Sequence, residues 1–238
     1  MSQEAIGLVK PGAPAHIGKP PRNPGLRALI AGKTAWAEPL DQTAKANGFL
    51  GWHARGYLPH RDIPGVTQFV TFRLHDAMPA SRRLEWAALL EVEDDRERRK
   101  RLDVYLDQGF GECWLRRPSV ARLLIEALRH FNGRRYHLDS WVVMPNHVHL
   151  LGEVWQTPLA KLVLSWKAHV ARQANALLSR KGQFWEREYW DTWIRDERHL
   201  TQARRYIENN PAKAKLVLDP AAWPWSSAGT RRMAGESA

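Results

Sequence analysis

Two histidines one residue apart, His147-Val148-His149, are the side chains in this sequence best suited to chemistry. In an extended strand, alternate residues leave the same face, so both imidazoles project from one side of a sheet. Two neutral imidazoles at that spacing can hold one divalent cation and leave positions open for phosphate oxygens or water. An H-x-H also arises by chance, and a strand histidine can equally be a hydrogen-bonded structural residue. Further on, Tyr206 and Asn210 stand at i and i+4 near the end of a helix and so share a face. The amide oxygen can complete a His-His-Asn metal site beside a phenol hydroxyl. The plainer alternative is that Tyr206 packs and Asn210 caps the helix before Pro211.

Two other uses of an H-x-H pattern fail on the same residues. A cupin needs an all-β jelly roll, and this chain carries convincing helices. A histidine-triad hydrolase needs a third histidine, and position 151 is Leu151.

The chain of 238 residues has 36 Lys+Arg against 25 Asp+Glu, a formal net charge of +11, which favours an anionic partner. Nucleic acid fits that sign better than a membrane, because no apolar run is long enough to span a bilayer. The N-terminus lacks the pattern of a secretory signal, and a cytoplasmic location is the expectation. With Cys113 as the single cysteine there is neither an intrachain disulfide nor a thiolate zinc cage. Twelve tryptophans (Trp 12 against Tyr 5 and Phe 6) point to a dense aromatic core or to surfaces on which bases stack.

The elements that must position these residues are legible in the pattern. Residues 1–50, rich in proline with Lys10, Lys19, Arg22, Arg27 and Lys33 between, read as a flexible basic arm. Val66–Leu74 follows the Pro64-Gly65 turn signal and reads as a strand. Residues 82–117 form a charged helical insertion whose stretch Glu91 to Arg101 reads as a solvated helix surface. A helix starts at Pro118 and ends at Asn132-Gly133. Tyr136–Val143 and His147–Val154 are strands joined by Met144-Pro145-Asn146. A helix with an apolar stripe from Leu159 to Leu178 follows, then an extended aromatic segment, Phe184 to Arg195. A last helix runs from about Asp196 to Asn209 and stops at Pro211. The expected class is α+β: a ferredoxin-like βαββαβ antiparallel sheet with helices on one face, plus a C-terminal helix carrying Tyr206. Residues 51–228 form the domain and 229–238 a disordered tail.

Pro145-Asn146-His147-Val148-His149-Leu150-Leu151, then Trp190-Asp191-Thr192-Trp193-Ile194-Arg195, then Tyr206-Ile207 with Asn210-Pro211, together resemble the REP-associated tyrosine transposases. These are relatives of the single-tyrosine HUH, or IS200-like, transposases. The closing Trp223-Pro224-Trp225-Ser226-Ser227 is also similar to that family's tail. The likeness spans roughly residues 52–228, and residues 82–117 look like an expansion present in only part of the family. The resemblance implies cleavage of single-stranded DNA beside palindromic, REP-like hairpins and strand transfer through a 5′-phosphotyrosine. His147, His149 and Asn210 then match the metal-binding residues, with Mg²⁺ or Mn²⁺ as the cation, and Tyr206 matches the nucleophile.

A phenol with a pKa of ~10 needs activation at neutral pH, from the cation or from a nearby base; Asp191 and Glu188 are the candidates by nearness in sequence. Phosphate contacts are expected from Lys161, Lys167, Arg172, Arg180 and Lys181, and from Arg195, Arg198, Arg204 and Arg205 around the tyrosine. Trp185, Tyr189, Trp190 and Trp193 are candidates for stacking on unpaired bases. The rival readings are a hairpin-binding module, for DNA or RNA, that does not cut, and a metal nuclease that activates water. Nothing in the sequence decides between monomer and homodimer.

Overall fold

The structure, a computed structural model, describes residues 39–54, 59–92 and 94–235. Its centre is a four-stranded antiparallel sheet of β3 (Val66–Arg73), β4 (Tyr136–Val143), β5 (His147–Val154) and β6 (Trp190–Trp193), in the spatial order β4-β5-β3-β6. Among the helices between these strands, α4 (Pro118–Arg129) precedes β4, and α5 (Leu159–Leu177) joins β5 to β6. The succession β3-α4-β4-β5-α5-β6 is the expected βαββαβ. A short ribbon of β1 (Gly51–Ala54) and β2 (Pro59–Asp62), not foreseen, precedes the sheet.

Strand alternation divides the sheet into two faces. Val148, Leu150 and Val154 of β5, with Val70 and Phe72 of β3, join the large core formed with α4 and α5. Pro118 opens α4 at its first turn, where a missing N–H is harmless. The other face carries His147, His149 and Leu151. It is covered by α6 (Glu197–Lys213) through a second, smaller core of Val142, Met144, Leu151, Ala203 and Ile207.

Helix α6 is fixed from several sides. Asp196 caps it by accepting from the His199 N–H at 2.7 Å. A bulge in β4 between Leu138 and Ser140 turns Asp139 toward the helix, where Arg204 donates to both its oxygens at 2.9 and 2.5 Å. Opposite that bulge a Cβ on Gly152 would sit 2.7 Å from the His137 carbonyl oxygen, so glycine is required there. The Trp223–Ser227 motif covers the β4 edge: the Val143 N–H donates to the Trp225 carbonyl at 2.8 Å and the Trp223 indole to the Val143 carbonyl at 3.0 Å. Helix α7 (Ser227–Met233) then braces α6, with Arg231 paired to Glu208.

Several boundaries differ from expectation. Helix α1 (Gln42–Asn47) lies within the stretch read as an arm, and Ala44 and Phe49 are buried, so the folded part begins before residue 50; Lys10, Lys19, Arg22, Arg27 and Lys33 lie outside the described residues. Residues 229–233, read as tail, belong to α7. The charged region is two helices, α2 (Arg83–Glu91) and α3 (Asp95–Asp107), the second capped by Asp94 accepting from the Glu97 N–H at 2.7 Å. The segment Phe184 to Arg195 contributes only the four-residue strand β6. Helix α6 runs past Pro211 to Lys213, because a proline so near the end removes a single helical hydrogen bond.

Because Ile207 is fully buried at the centre of the small core, Ile207→Ala is expected to lower unfolding stability by about 2–4 kcal/mol. Urea denaturation measures it, and a change below about 0.5 kcal/mol would mean that this core does not hold α6 to the sheet.

Candidate active site

Strand β5 places His147 and His149 side by side on the face under α6, their ring centroids 4.7 Å apart and both fully buried. Neighbouring side chains hold each ring from behind. The Asn146 amide N–H₂ donates to the Phe110 carbonyl at 3.0 Å, which turns its Oδ1 to His147 Nδ1 at 2.7 Å. An amide oxygen only accepts, so His147 carries its proton on Nδ1 and keeps a bare lone pair on Nε2. His149 Nδ1 meets the Thr71 hydroxyl at 2.8 Å, across the β3–β5 pairing. Burial, helped by the Lys213 ammonium, lowers His147 to about 3. Burial, then His147, then Lys213 depress His149 well below its ordinary value. Both rings are therefore neutral at physiological pH.

Helix α6 brings Tyr206 and Asn210 over this pair. The Tyr206 ring centroid is 5.5 Å from that of His149 and 5.9 Å from that of Phe69. Among the described residues, His147 Nε2, His149 Nε2, the Tyr206 hydroxyl and both amide atoms of Asn210 are buried without a conventional hydrogen bond. Each such atom costs about 1–3 kcal/mol unless something fills its valence. Their gathering at one point therefore suits a ligand rather than stability. Two neutral imidazole lone pairs and an amide oxygen are donors that fit a divalent cation. No cluster of three or more His, Cys, Asp or Glu among the described residues is assembled as a ready-made metal cage.

Two residues absent from the sequence reading complete the site. Helix α3, from the charged region, carries Asp103 and Asp107 at i and i+4 toward α6. Burial, then the Asp103 carboxyl, drive the Tyr206 phenol far above its ordinary pKa. Burial outweighs the help of Tyr206 and Lys213 and lifts Asp103 to about 6. Asp107 lies 3.9 Å from His147 Nε2 through one oxygen and 3.0 Å from the Lys213 ammonium through the other. Lys213 in turn sits 5.2 Å from the Tyr206 ring centre. The signal was present in the buried Leu102, Tyr105 and Leu106, which mark one side of α3 as packed rather than solvated. A cleft of about 320 Å³ opens beside His147, with Asp107, Gln108, Cys113, Arg116 and Met144 among its walls.

Other expected roles fall elsewhere. Asp191 faces the opposite side of the sheet, bonded to His60 Nδ1 and to Gln68 Nε2 at 3.1 Å, and Glu188 lies near the same His60, so neither reaches Tyr206. Lys167 is buried and donates to the carbonyls of Glu186, Arg187 and Glu188 at 2.9, 3.3 and 3.2 Å, which fixes the loop before β6 rather than a phosphate. Arg204 is held by Asp139, and Arg180 by Asn175 and Gln183. Lys161 is exposed but donates to the Asn47 carbonyl at 3.1 Å. Arg172, Lys181, Arg195, Arg198 and Arg205 are exposed. Trp185, Tyr189 and Trp190 belong to the core, whereas Trp193 is half-buried with the Arg61 guanidinium 4.1 Å over its ring.

The raised pKa of Asp103 gives a signed expectation for stability. Its folded value, about 6, exceeds the ~3.9 of an unfolded aspartate, so the native state loses stability as pH rises between the two. With a chelator present, Asp103→Asn is expected to raise the melting temperature at pH 7.5 by ~2–4 °C, about 1 kcal/mol after allowance for partial solvent access. At pH 4 variant and parent are expected to melt together; a gain of equal size at both pH values would exclude a buried charge as its source.

Residues 119–210 match the family described as "Transposase IS200 like". Among curated proteins, the REP-associated tyrosine transposase of Escherichia coli (strain K12) is 26% identical over 119 residues, which cover 47% of this chain and 69% of that protein. The putative REP-associated tyrosine transposase of Haemophilus influenzae (strain ATCC 51907 / DSM 11121 / KW20 / Rd) is 27% identical over 96 residues, 36% of this chain; the chain spans about half of that relative's length, 54%. A solved structure of a REP-associated tyrosine transposase bound to a REP hairpin aligns with 75% of this chain and 86% of its own, at 17% identity and a TM-score of 0.46. The matched segment holds His147, His149, Tyr206 and Asn210, and leaves Asp103 and Asp107 outside it. Residues 119–210, less than half of the chain, are thus similar to the IS200-like transposase family, and the curated relatives that the chain resembles are REP-associated tyrosine transposases.

Proposed function

We propose that this protein transfers single-stranded DNA, cutting beside a palindromic, REP-like hairpin with Tyr206 as the nucleophile. The observation that carries the reading is the meeting of Tyr206, Asn210, His147 and His149, whose buried polar atoms lack a conventional hydrogen bond among the described residues. In the reaction the phenolic oxygen bonds to phosphorus and the P–O3′ bond breaks. The products are a 5′-phosphotyrosine and a 3′-hydroxyl, the departing oxygen taking a proton from solvent. Reversal by a 3′-hydroxyl rejoins the strand without a nucleotide cofactor, since the ester bond is conserved.

A divalent cation, Mg²⁺ or Mn²⁺, held by His147, His149 and Asn210 would supply the positive charge that polarises the scissile phosphate. Burial keeps the two imidazoles neutral, and Asn146 and Thr71 hold them in place. The Tyr206 phenol holds its proton strongly, so attack requires an acceptor at the hydroxyl. Asp103 is placed there, and a pKa of about 6 suits it to take a proton and to give it back. The exposed Arg172, Arg195 and Arg205, with Arg116 at the cleft, supply positive charge for the DNA backbone.

Incubation with a labelled single-stranded hairpin and Mg²⁺ or Mn²⁺ tests this. A covalent protein–DNA adduct is expected, lost in Tyr206→Phe and reduced at least 100-fold in His149→Ala. Cutting that survives Tyr206→Phe would make water the nucleophile. Tight binding with no cutting by the parent chain would leave a recognition module.

A further inference from the structure

We infer that Asp107, carried by the inserted helix α3, is an additional ligand of the divalent cation bound at His147 and His149, and that Lys213 competes with the cation for it. The inference rests on the reading of the histidine pair as a metal site. It goes beyond that reading because Asp107 lies outside the family-matched segment. One Asp107 oxygen is buried, lacks a hydrogen bond among the described residues and stands 3.9 Å from the bare Nε2 of His147. That separation is shorter than two metal–ligand bonds of about 2.1 Å laid end to end. The two donors are thus already close enough to share an ion.

Charge argues the same way. Two neutral imidazoles and an amide oxygen bring no negative charge to a divalent cation, while the Lys213 ammonium stands 3.0 Å from Asp107 and repels it. A carboxylate is the donor that a hard cation such as Mg²⁺ prefers and that this set lacks. Asp107 is the carboxylate beside His147, and its side chain is 12% exposed, so it meets the cation with little competition from water. Its other oxygen is tied to Lys213, which explains why the three groups are not gathered into a cage as they stand. Exchange of one cation for the other at this carboxylate frees the Lys213 ammonium.

The test is equilibrium Mn²⁺ binding to the full chain without DNA, read from the electron paramagnetic resonance of free Mn²⁺. Circular dichroism checks that each variant is folded. The parent chain is expected to bind Mn²⁺ and His149→Ala to lose it. Asp107→Asn should weaken binding at least tenfold, Asp107→Glu should restore much of it, and Lys213→Met should bind more tightly than the parent. If His149→Ala abolishes binding while Asp107→Asn leaves it unchanged, the Asp107 assignment is overturned and the histidine site stands. If the parent binds no Mn²⁺, both fail. Should Asp107→Asn not fold, Lys213→Met decides: an affinity equal to the parent's overturns the competition and the ligand role with it.

Discussion

Two imidazoles buried side by side, each with a ring nitrogen left without a hydrogen bond among the described residues, impose the main constraint on this fold. A buried histidine can stay neutral cheaply only if its second nitrogen is bonded and its proton is fixed. Asn146 fixes the proton of His147 through the β4–β5 turn, and the Thr71 hydroxyl bonds His149 Nδ1 across the β3 pairing. The open nitrogens must then be shielded from bulk water without being filled. Helix α6 provides that cover, and its hold explains why so many contacts converge on it. The small core around Ile207, the Asp139–Arg204 pair at a strand bulge and the brace from α7 all serve its placement.

The charged helices α2 and α3 add to the chemistry available in this frame. Helix α3 ends beside the histidines, so a region whose composition speaks of solvent closes one side of the site. It adds two carboxylates at helical spacing, one beside Tyr206 and one beside His147, and Lys213 links the second back to α6. The extension of α6 past Pro211 makes that link possible. Phe110, in the loop after α3, also fixes Asn146 and through it the tautomer of His147. The charged helical region is therefore part of the site's electrostatics as well as of its walls.

Basic residues divide by the same logic of satisfaction. Lys167 and Arg204 sit at helical positions that look available for phosphate, but buried carbonyls and a bulge carboxylate need their protons more. The exposed arginines on α5, on α6 and before it keep their charge toward solvent, where long-range attraction of a polyanion depends on it. The aromatic segment before β6 divides in the same way. Trp185, Tyr189 and Trp190 fill the large core, and Trp193 at the sheet edge is left half-covered under Arg61.

The order of strands and helices, the pairing of the histidines on one face and the shared face of Tyr206 and Asn210 were all legible in the sequence. Each depends on a local period, two for a strand and about 3.6 for a helix, so a short window suffices to read it. The sequence alone also carried the motif order that resembles the REP-associated tyrosine transposases. It did not disclose that Asp103 and Asp107 face Tyr206 and His147, that Asp191 turns to His60, or that Lys167 serves a loop. Those pairings join residues far apart in the chain. They are decided by which face of the sheet each helix covers and by which buried polar atom each charge must satisfy, and only the assembled tertiary structure settles that.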